Sequence, residues 1–305
     1  MKNVLLLLIG LSVFLLSGCA GGDNEAGSGA PFAVVTDQAG REVVLQDVPE
    51  RIVSLSPSNT EIVFALGMAD RVVGVTDYCN YPPEAEAKAK VGGFSNPNLE
   101  LILELEADLV LAGSLHEEFI PRLEEMGIPV LVLAPETLAD VYASLMLVAE
   151  VTGSTEQGEL LVAEIQERVS RVQAALGSLN EDEKVVVYYE VYSDPLMSAG
   201  AGTLINEIIT LSGGRNIFAD LAEQYPKVSA ESVVERQPQV ILFPDYHGSA
   251  EIMAEQMTER PGWESIPALR ENRAYAVHDD AFTRPGPRVV DAIEQTAKLF
   301  YPGLF

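Results

Sequence analysis

The residues able to do chemistry are few: the 305-residue chain holds two cysteines and three histidines. Cys19 follows Leu16-Ser17-Gly18 at the end of an apolar run over residues 4–16, with Lys2 ahead of it. Small residues before a cysteine, behind a short apolar segment, make a lipobox, where a signal peptidase cuts and the freed Cys19 thiol takes a diacylglyceryl group. The run is shorter than the ~20 residues that cross a bilayer, so the anchor expected is lipid. With Cys19 so used, Cys79 has no partner for an intramolecular disulfide. It reads as a small buried hydrophobe, or as a soft ligand or wall of a binding cleft. His116, His247 and His278 read as surface or loop histidines, too few for a transition-metal centre built from imidazoles. No G-x-x-x-x-G-K-S/T phosphate loop, G-x-S-x-G elbow, H-E-x-x-H or calcium loop occurs. The balance moves from catalysis to binding, and neither a catalytic residue, a bound metal nor a cofactor is expected.

Composition narrows the partners. A net charge of -27 repels a phosphate backbone, which argues against general nucleic-acid binding. A hydrophobic content of 48% supplies material for a core and argues against disorder over most of the length. Residues 20–31, rich in Gly, Ala, Ser and acids, suit a flexible tether, and folded structure is expected from about residue 32.

The elements that must position any site follow from hydrophobic patterning. Strands expected over 51–55, 72–75, 109–112 and 130–133 alternate with helices over 59–66, 99–105 and 119–126, the mark of parallel sheets covered by helices. The helix at 59–66 takes Ser58 or Asn59 as its cap and stops at Gly67. Between 137 and 179 no strand signal occurs, and Leu161, Ile165, Val169, Val172, Leu176 and Leu179 recur at steps of three and four. A helix from residue 155 of roughly 24 residues would span roughly 36 Å, enough to bridge two lobes. Strands over 184–189, 240–243 and 274–277 and helices over 203–211, 230–235 and 288–300 complete the chain. The expected architecture is α/β, with two Rossmann-like lobes joined by one long backbone helix. Its parts are a signal peptide (1–18), a tether (19–31), an N-terminal lobe (32–136), a helical linker (137–180) and a C-terminal lobe (181–305).

The two halves echo each other. Asn98-Leu99-Glu100 through Leu111 lines up with Ser229-Ala230-Glu231 through Leu242, pairing Glu100 with Glu231 and Glu104 with Glu235. Glu61-Ile62 ahead of Gly67 likewise matches Glu207-Ile208 ahead of Gly213. Glu100 and Glu231 each follow a capping residue, so each projects from a helical first turn, where a carboxylate also complements the helix dipole.

Several stretches resemble one family: the periplasmic binding proteins for cobalamin, ferric siderophores and haem that serve ATP-driven importers. In the first half these are Arg51 through Glu61, Gly74-Val75 through Tyr78 to Tyr81-Pro82-Pro83, Val91-Gly92-Gly93-Phe94, and Asn98-Leu99-Glu100 to Val110. In the second half they are Gly213 through Phe218, Tyr225 through Glu231, and Arg284-Pro285-Gly286-Pro287-Arg288. They run in family order over almost the whole mature chain, and the cobalamin-binding members look most similar. The resemblance implies that Glu100 and Glu231 dock on arginine pockets of two membrane subunits, with an ATPase beneath. It places a metal-chelate ligand, a cobalt corrinoid or an iron chelate, between the lobes, and the protein on the outer side of the cytoplasmic membrane. Candidate cleft residues are Tyr78 and Phe94 from the first lobe and Tyr192, Tyr225, Tyr246 and Phe282 from the second, with Arg284 as a cation for acidic ligand groups. Aromatic faces suit a broad macrocycle because they bury large area at little conformational cost.

This chain departs from the cobalamin-binding pattern where tryptophans line the cleft: it has Phe94, Tyr225 and Gly113 there, and its one tryptophan, Trp263, lies in a segment the family uses for packing. Haem or a ferric siderophore therefore stays open as the ligand, with Tyr246, His247 or Cys79 as approaches to the metal. Two other classes stand beside the binding module: a two-lobed chelatase-like enzyme, against which export and lipidation argue, and a zinc or manganese binder, which would assemble more histidines. A bridging helix also implies lobe movements of only a few degrees on ligand binding.

Overall fold

The computed structural model describes residues 30–177, 179–245 and 250–305. Cys19, Tyr246 and His247 lie outside the described residues. Strand β1 (Ala33–Thr36) and strand β2 (Glu42–Leu45) form an antiparallel hairpin, in register Val35 with Val43. Asp37 in its turn accepts from the Ala39 and Arg41 amides and, through its other oxygen, from the Val132 amide, which staples the hairpin to the first lobe.

The first sheet contains β3 (Ile52–Ser54), β4 (Val72–Val75), β5 (Ala89–Lys90), β6 (Leu109–Ala112) and β7 (Val130–Val132). They run parallel in the order β5-β4-β3-β6-β7. β3, β6 and β7 are buried at every residue, as parallel strands covered on both faces must be, which is why they read as unbroken apolar runs. Helices α1 (Pro57–Ala65), α2 (Leu99–Glu104) and α3 (Ile120–Glu125) cover it. The cap of α1 is Ser56, whose hydroxyl accepts from the Asn59 amide, rather than Ser58 or Asn59; Pro57, lacking an amide hydrogen, favours N1 and moves the start upstream.

The stretch without strands is two helices, α4 (Leu138–Thr152) and α5 (Thr155–Leu176). A reciprocal box between Thr137 and Asp140 starts α4, and Gly153 at φ 70°, a left-handed conformation, ends it. The 22 residues of α5 cover about 33 Å. Its first turns lie against α4, where a Cβ on Gly158 would stand 2.6 Å from the Ala149 Cβ, so only glycine permits this approach. Its later turns are fastened to the last helix of the chain, α11 (Val289–Phe300), by Arg168, which donates to Glu294 (3.0 and 2.7 Å) and Asp291 (2.6 Å).

The second sheet repeats the plan with β8 (Val185–Ser193), β10 (Gly214–Asn216), β11 (Val240–Pro244) and β12 (Ala274–Val277), parallel in the order β10-β8-β11-β12. β9 (Leu196–Ser198) pairs antiparallel with β8. Around it lie α6 (Leu204–Leu211), α7 (Ala230–Arg236), α8 (Ala250–Glu259), α9 (Pro267–Arg270), α10 (Asp279–Thr283) and α11 (Val289–Phe300).

Pro31–Phe305 packs as one unit. One apolar cluster runs from Ile62 and Leu66 of the first lobe through α4 and α5 to Ile208, Ile293 and Phe300 of the second. Separate clusters lie on the far side of each sheet, one around Ile102 and Leu123, the other around Trp263, Tyr188 and Phe218. Trp263 is fully buried there, with the Arg260 guanidinium 4.4 Å over its ring. Among the described residues, no helix is long and apolar enough to cross a membrane.

Candidate functional site

In the first sheet β3 and β6 are neighbours whose connections leave in opposite directions, so a crevice opens at their carboxyl ends. Ser56, Pro57 and Ser58 follow β3, and Gly113, Ser114 and Leu115 follow β6; both segments line a cavity of about 530 Å³. Tyr78, Phe94 and residues 133–136, each beyond the end of another strand, add to this wall, and Thr283, Arg284 and Pro285 come from the second lobe. A further cavity of about 500 Å³ is lined by Val191, Met197, residues 202–205, Gln224, Tyr225 and Phe282. The two share Pro135, Glu136, Thr283 and Pro285, so they are halves of one cleft between the lobes.

The structure brings five of the candidate residues to this cleft. Tyr78, 61% exposed, and Phe94 line the first half; Tyr225, 43% exposed, and Phe282 line the second; Arg284 stands at the first. Phe282 is mostly core, 2% exposed with its ring tilted on Tyr189 at 5.6 Å, and contributes little surface to the cavity wall. Tyr192 lines neither half. Val191 lines the second half from β8, and Tyr192, just past a register shift in the pairing of β8 with β9, is exposed away from both.

Cys79 is the small buried residue of its first reading and not a wall of the cleft. It is 1% exposed, with its Sγ 3.1 Å from the Thr60 hydroxyl and 3.2 Å from the Thr76 hydroxyl, beneath the floor rather than in it. His116 stands in the loop segment after β6, as expected, but not on the surface. It is fully buried, its Nδ1 accepts from the Gly113 amide (2.9 Å), and its Nε2 donates to the Phe94 carbonyl (2.7 Å). The first bond fixes the neutral Nε2-H tautomer, and burial holds the imidazole below its ordinary pKa of 6.5 against those two backbone bonds. His116 thus joins two cleft loops, and the Phe94 ring stands edge-on to it at 5.5 Å. His278 is exposed.

Arg284 is not a free cation. Its Nη1 donates to Asn80 (2.7 Å) and reaches Glu61 (3.5 Å), and its Nη2 sits 2.7 Å from Asp280. Arg288 grips Glu61 with two bonds of 2.8 and 2.6 Å and lies 4.1 Å over the Tyr81 ring. Glu61, 2% exposed, belongs to the first lobe and both arginines to the second, so the network ties the lobes at the edge of the cleft. Burial alone would lower the Arg288 pKa, but its bonds to Glu61 raise it above the ordinary value, so the guanidinium stays charged. Glu61 and Arg288 stand in stretches that the sequence singles out, but no local pattern pairs them; Glu136 carries no such signal, and counting three to five residues past each strand would have reached it, because the crevice lies where strands end.

Glu100 and Glu231 occupy the second positions of α2 and α7, after Asn98 and Ser229, whose side chains cap those helices; both glutamates are exposed. A helix crossing between parallel strands runs against them, so its first turn lies at their carboxyl ends. Both carboxylates are therefore on the end of their sheets where the cleft opens. The Glu231 carboxyl is held below the usual carboxylate range by its own backbone amide and by the Ser229 hydroxyl.

Residues 52–281 match the periplasmic binding protein family. An uncharacterized ABC transporter substrate-binding lipoprotein of Bacillus subtilis is 33% identical, covering 97% of this chain and 96% of that one. A vitamin B12-binding protein of Vibrio parahaemolyticus is 30% identical, covering 82% of this chain and 89% of that one. Among solved structures, the apo form of a periplasmic heme-binding protein from Roseiflexus superposes with a TM-score of 0.74 at 29% identity, covering 84% of this chain and 99% of that one. Two repeated parallel sheets, a shared helical spine and a cleft between them accord with these matches, and the chain belongs to the periplasmic binding protein family.

Proposed function

We propose that the protein is the lipid-anchored substrate-binding component of an ABC importer, which captures cobalamin or a related corrinoid outside the cytoplasmic membrane and hands it to the permease. The observation that carries this reading is the cleft: two cavities of about 530 and 500 Å³ joined through Pro135, Glu136, Thr283 and Pro285, with Tyr78 and Phe94 on one side and Tyr225 on the other. A long crevice with aromatic walls from both lobes suits a broad, flat macrocycle. Likeness to a vitamin B12-binding protein supports a corrinoid. Likeness to a heme-binding protein favours haem or an iron chelate as the second reading.

In this reading the N-terminal lobe covers residues 32–136, the helical linker 137–180 and the C-terminal lobe 181–305, with Cys19 carrying the lipid. Glu100 and Glu231 meet the two permease subunits, and the ATPase works beneath them. The protein does no chemistry on its cargo; it binds, presents and releases. Calorimetric titration with cyanocobalamin, cobinamide, haemin and a ferric tricatecholate tests this. Saturable binding of a corrinoid at one site per chain is the expected result, tight binding of haemin alone moves the assignment to the second reading, and no binding of any overturns the proposal.

A further inference from the structure

We propose, resting on the importer reading above, that Glu136 sets the charge preference of the cleft, so that its ligand is an uncharged or cationic macrocycle bearing amides rather than an anionic chelate. Among the described residues lining the two halves, the charged side chains are Glu136 and Arg284. The Arg284 charge is already matched by Asp280 at 2.7 Å and Glu61 at 3.5 Å, so it offers little to a ligand carboxylate or catecholate. Glu136 is different. It lines both halves, it is exposed, and its carboxylate has no hydrogen-bond or ion-pair partner among the described residues.

Its backbone is held, since the Glu136 amide donates to the Asp140 carboxylate at 3.3 Å beside the capped start of α4. The side chain therefore presents its carboxylate from an anchored backbone position where the lobes face each other. Tyr225 feels it from the opposite lobe: burial, and then the Glu136 charge, raise the phenol above its ordinary pKa of 10.0. A carboxylate brought here by a ligand meets a like charge, whereas an amide meets an acceptor for its N–H groups. Repulsion of this kind discriminates between partners more than it adds affinity.

The test compares two corrinoids that differ in one peripheral group. Dicyanocobinamide carries an amide where dicyanocobyric acid carries a carboxylate, and the axial ligands are the same. Calorimetry on the intact protein in detergent, with haemin as a third ligand, reads the ratio of their dissociation constants. The wild type is expected to prefer the cobinamide by roughly threefold to tenfold, the size of one partly screened charge pair. Glu136→Gln should bring that ratio toward one and Glu136→Lys should reverse it, with urea unfolding unchanged because the residue is exposed. A ratio unmoved in both variants, or haemin bound more tightly than cobinamide by the wild type, overturns the assignment to Glu136 and leaves the importer reading standing. Binding of none of the three by the wild type overturns the importer reading itself.

Discussion

Glu61 in α1 and Glu207 in α6 hold equivalent places in the two lobes, and each accepts a hydrogen bond from the segment that follows the last strand of the other sheet. Glu61 takes Arg288, at the start of α11 beyond β12. Glu207 takes the Leu138 amide (2.6 Å), at the start of α4 beyond β7. Their helices end alike, at Gly67 and Gly213, both left-handed with φ 78° and 81°. The crossing of these two carboxylates makes the repeat a locked pair rather than two domains in series.

The first prediction concerns that lock. Glu61→Leu leaves the Arg288 guanidinium poorly matched in a site where Glu61 was 2% exposed, and removing one partner of a buried pair costs about 3–5 kcal/mol. Asp280, 3.5 Å from Arg288, softens the loss toward the lower figure. Replacing both residues, Glu61→Leu with Arg288→Met, should recover most of it, because two apolar side chains leave no charge unpaired. Urea unfolding of both variants checks this: a double variant no more stable than Glu61→Leu would mean the pair is not coupled.

The second concerns pH. The native state holds His116 neutral, below its ordinary pKa of 6.5, so the unfolded chain binds more protons below that value. The stability this contributes is fully present above about 6.5 and is lost as pH falls toward the depressed native pKa. His116→Gln should flatten the fall in unfolding free energy between pH 7 and pH 5. The His116 ring protons, followed by NMR, should titrate below 6.5; titration at or above it would refute the account.

Apolar strands were legible in the sequence where burial on both faces leaves an unbroken run, as at Val240–Pro244 and Leu109–Ala112. β1, β2, β5, β9 and β10 were not: none is buried throughout, exposed positions such as Glu42 and Arg215 interrupt them, and their place is set by partners elsewhere in the chain. The aromatic wall of the cleft was readable by residue type. His116 was not, since its burial rests on the Phe94 carbonyl 22 residues away, which no local pattern announces. Glu136 escaped for the converse reason, an exposed acid among many in a chain of net charge -27.

The third prediction tests stiffness. α5 lies on α4 through Gly158 and on α11 through Arg168, and the central apolar cluster is continuous across both lobes. Closure by tens of degrees would tear that cluster, so small-angle scattering with and without cyanocobalamin should give nearly the same radius of gyration. Gly158→Leu should force the helices apart and cost about 1–3 kcal/mol through overpacking. Loss of a kilocalorie or more in the urea midpoint analysis supports the close approach; no change denies it.

The last prediction separates capture from delivery. Glu100 and Glu231 are exposed, each in the first turn of a capped helix, and neither lines the cleft. Changing both to Ala removes two favourable but solvent-screened carboxylate–dipole contacts, so the fold should survive with a slightly lower melting temperature. Calorimetric affinity for the ligand should be unchanged. Uptake of that ligand by cells or proteoliposomes carrying the cognate permease should fall by more than tenfold, with the single variants intermediate, because each carboxylate would meet one subunit of a paired gate. The alternative is that these carboxylates only complement the dipoles of their helices. In that case Glu100→Gln with Glu231→Gln would transport at the wild-type rate, and the matched carboxylates would be a remnant of the repeat rather than a contact.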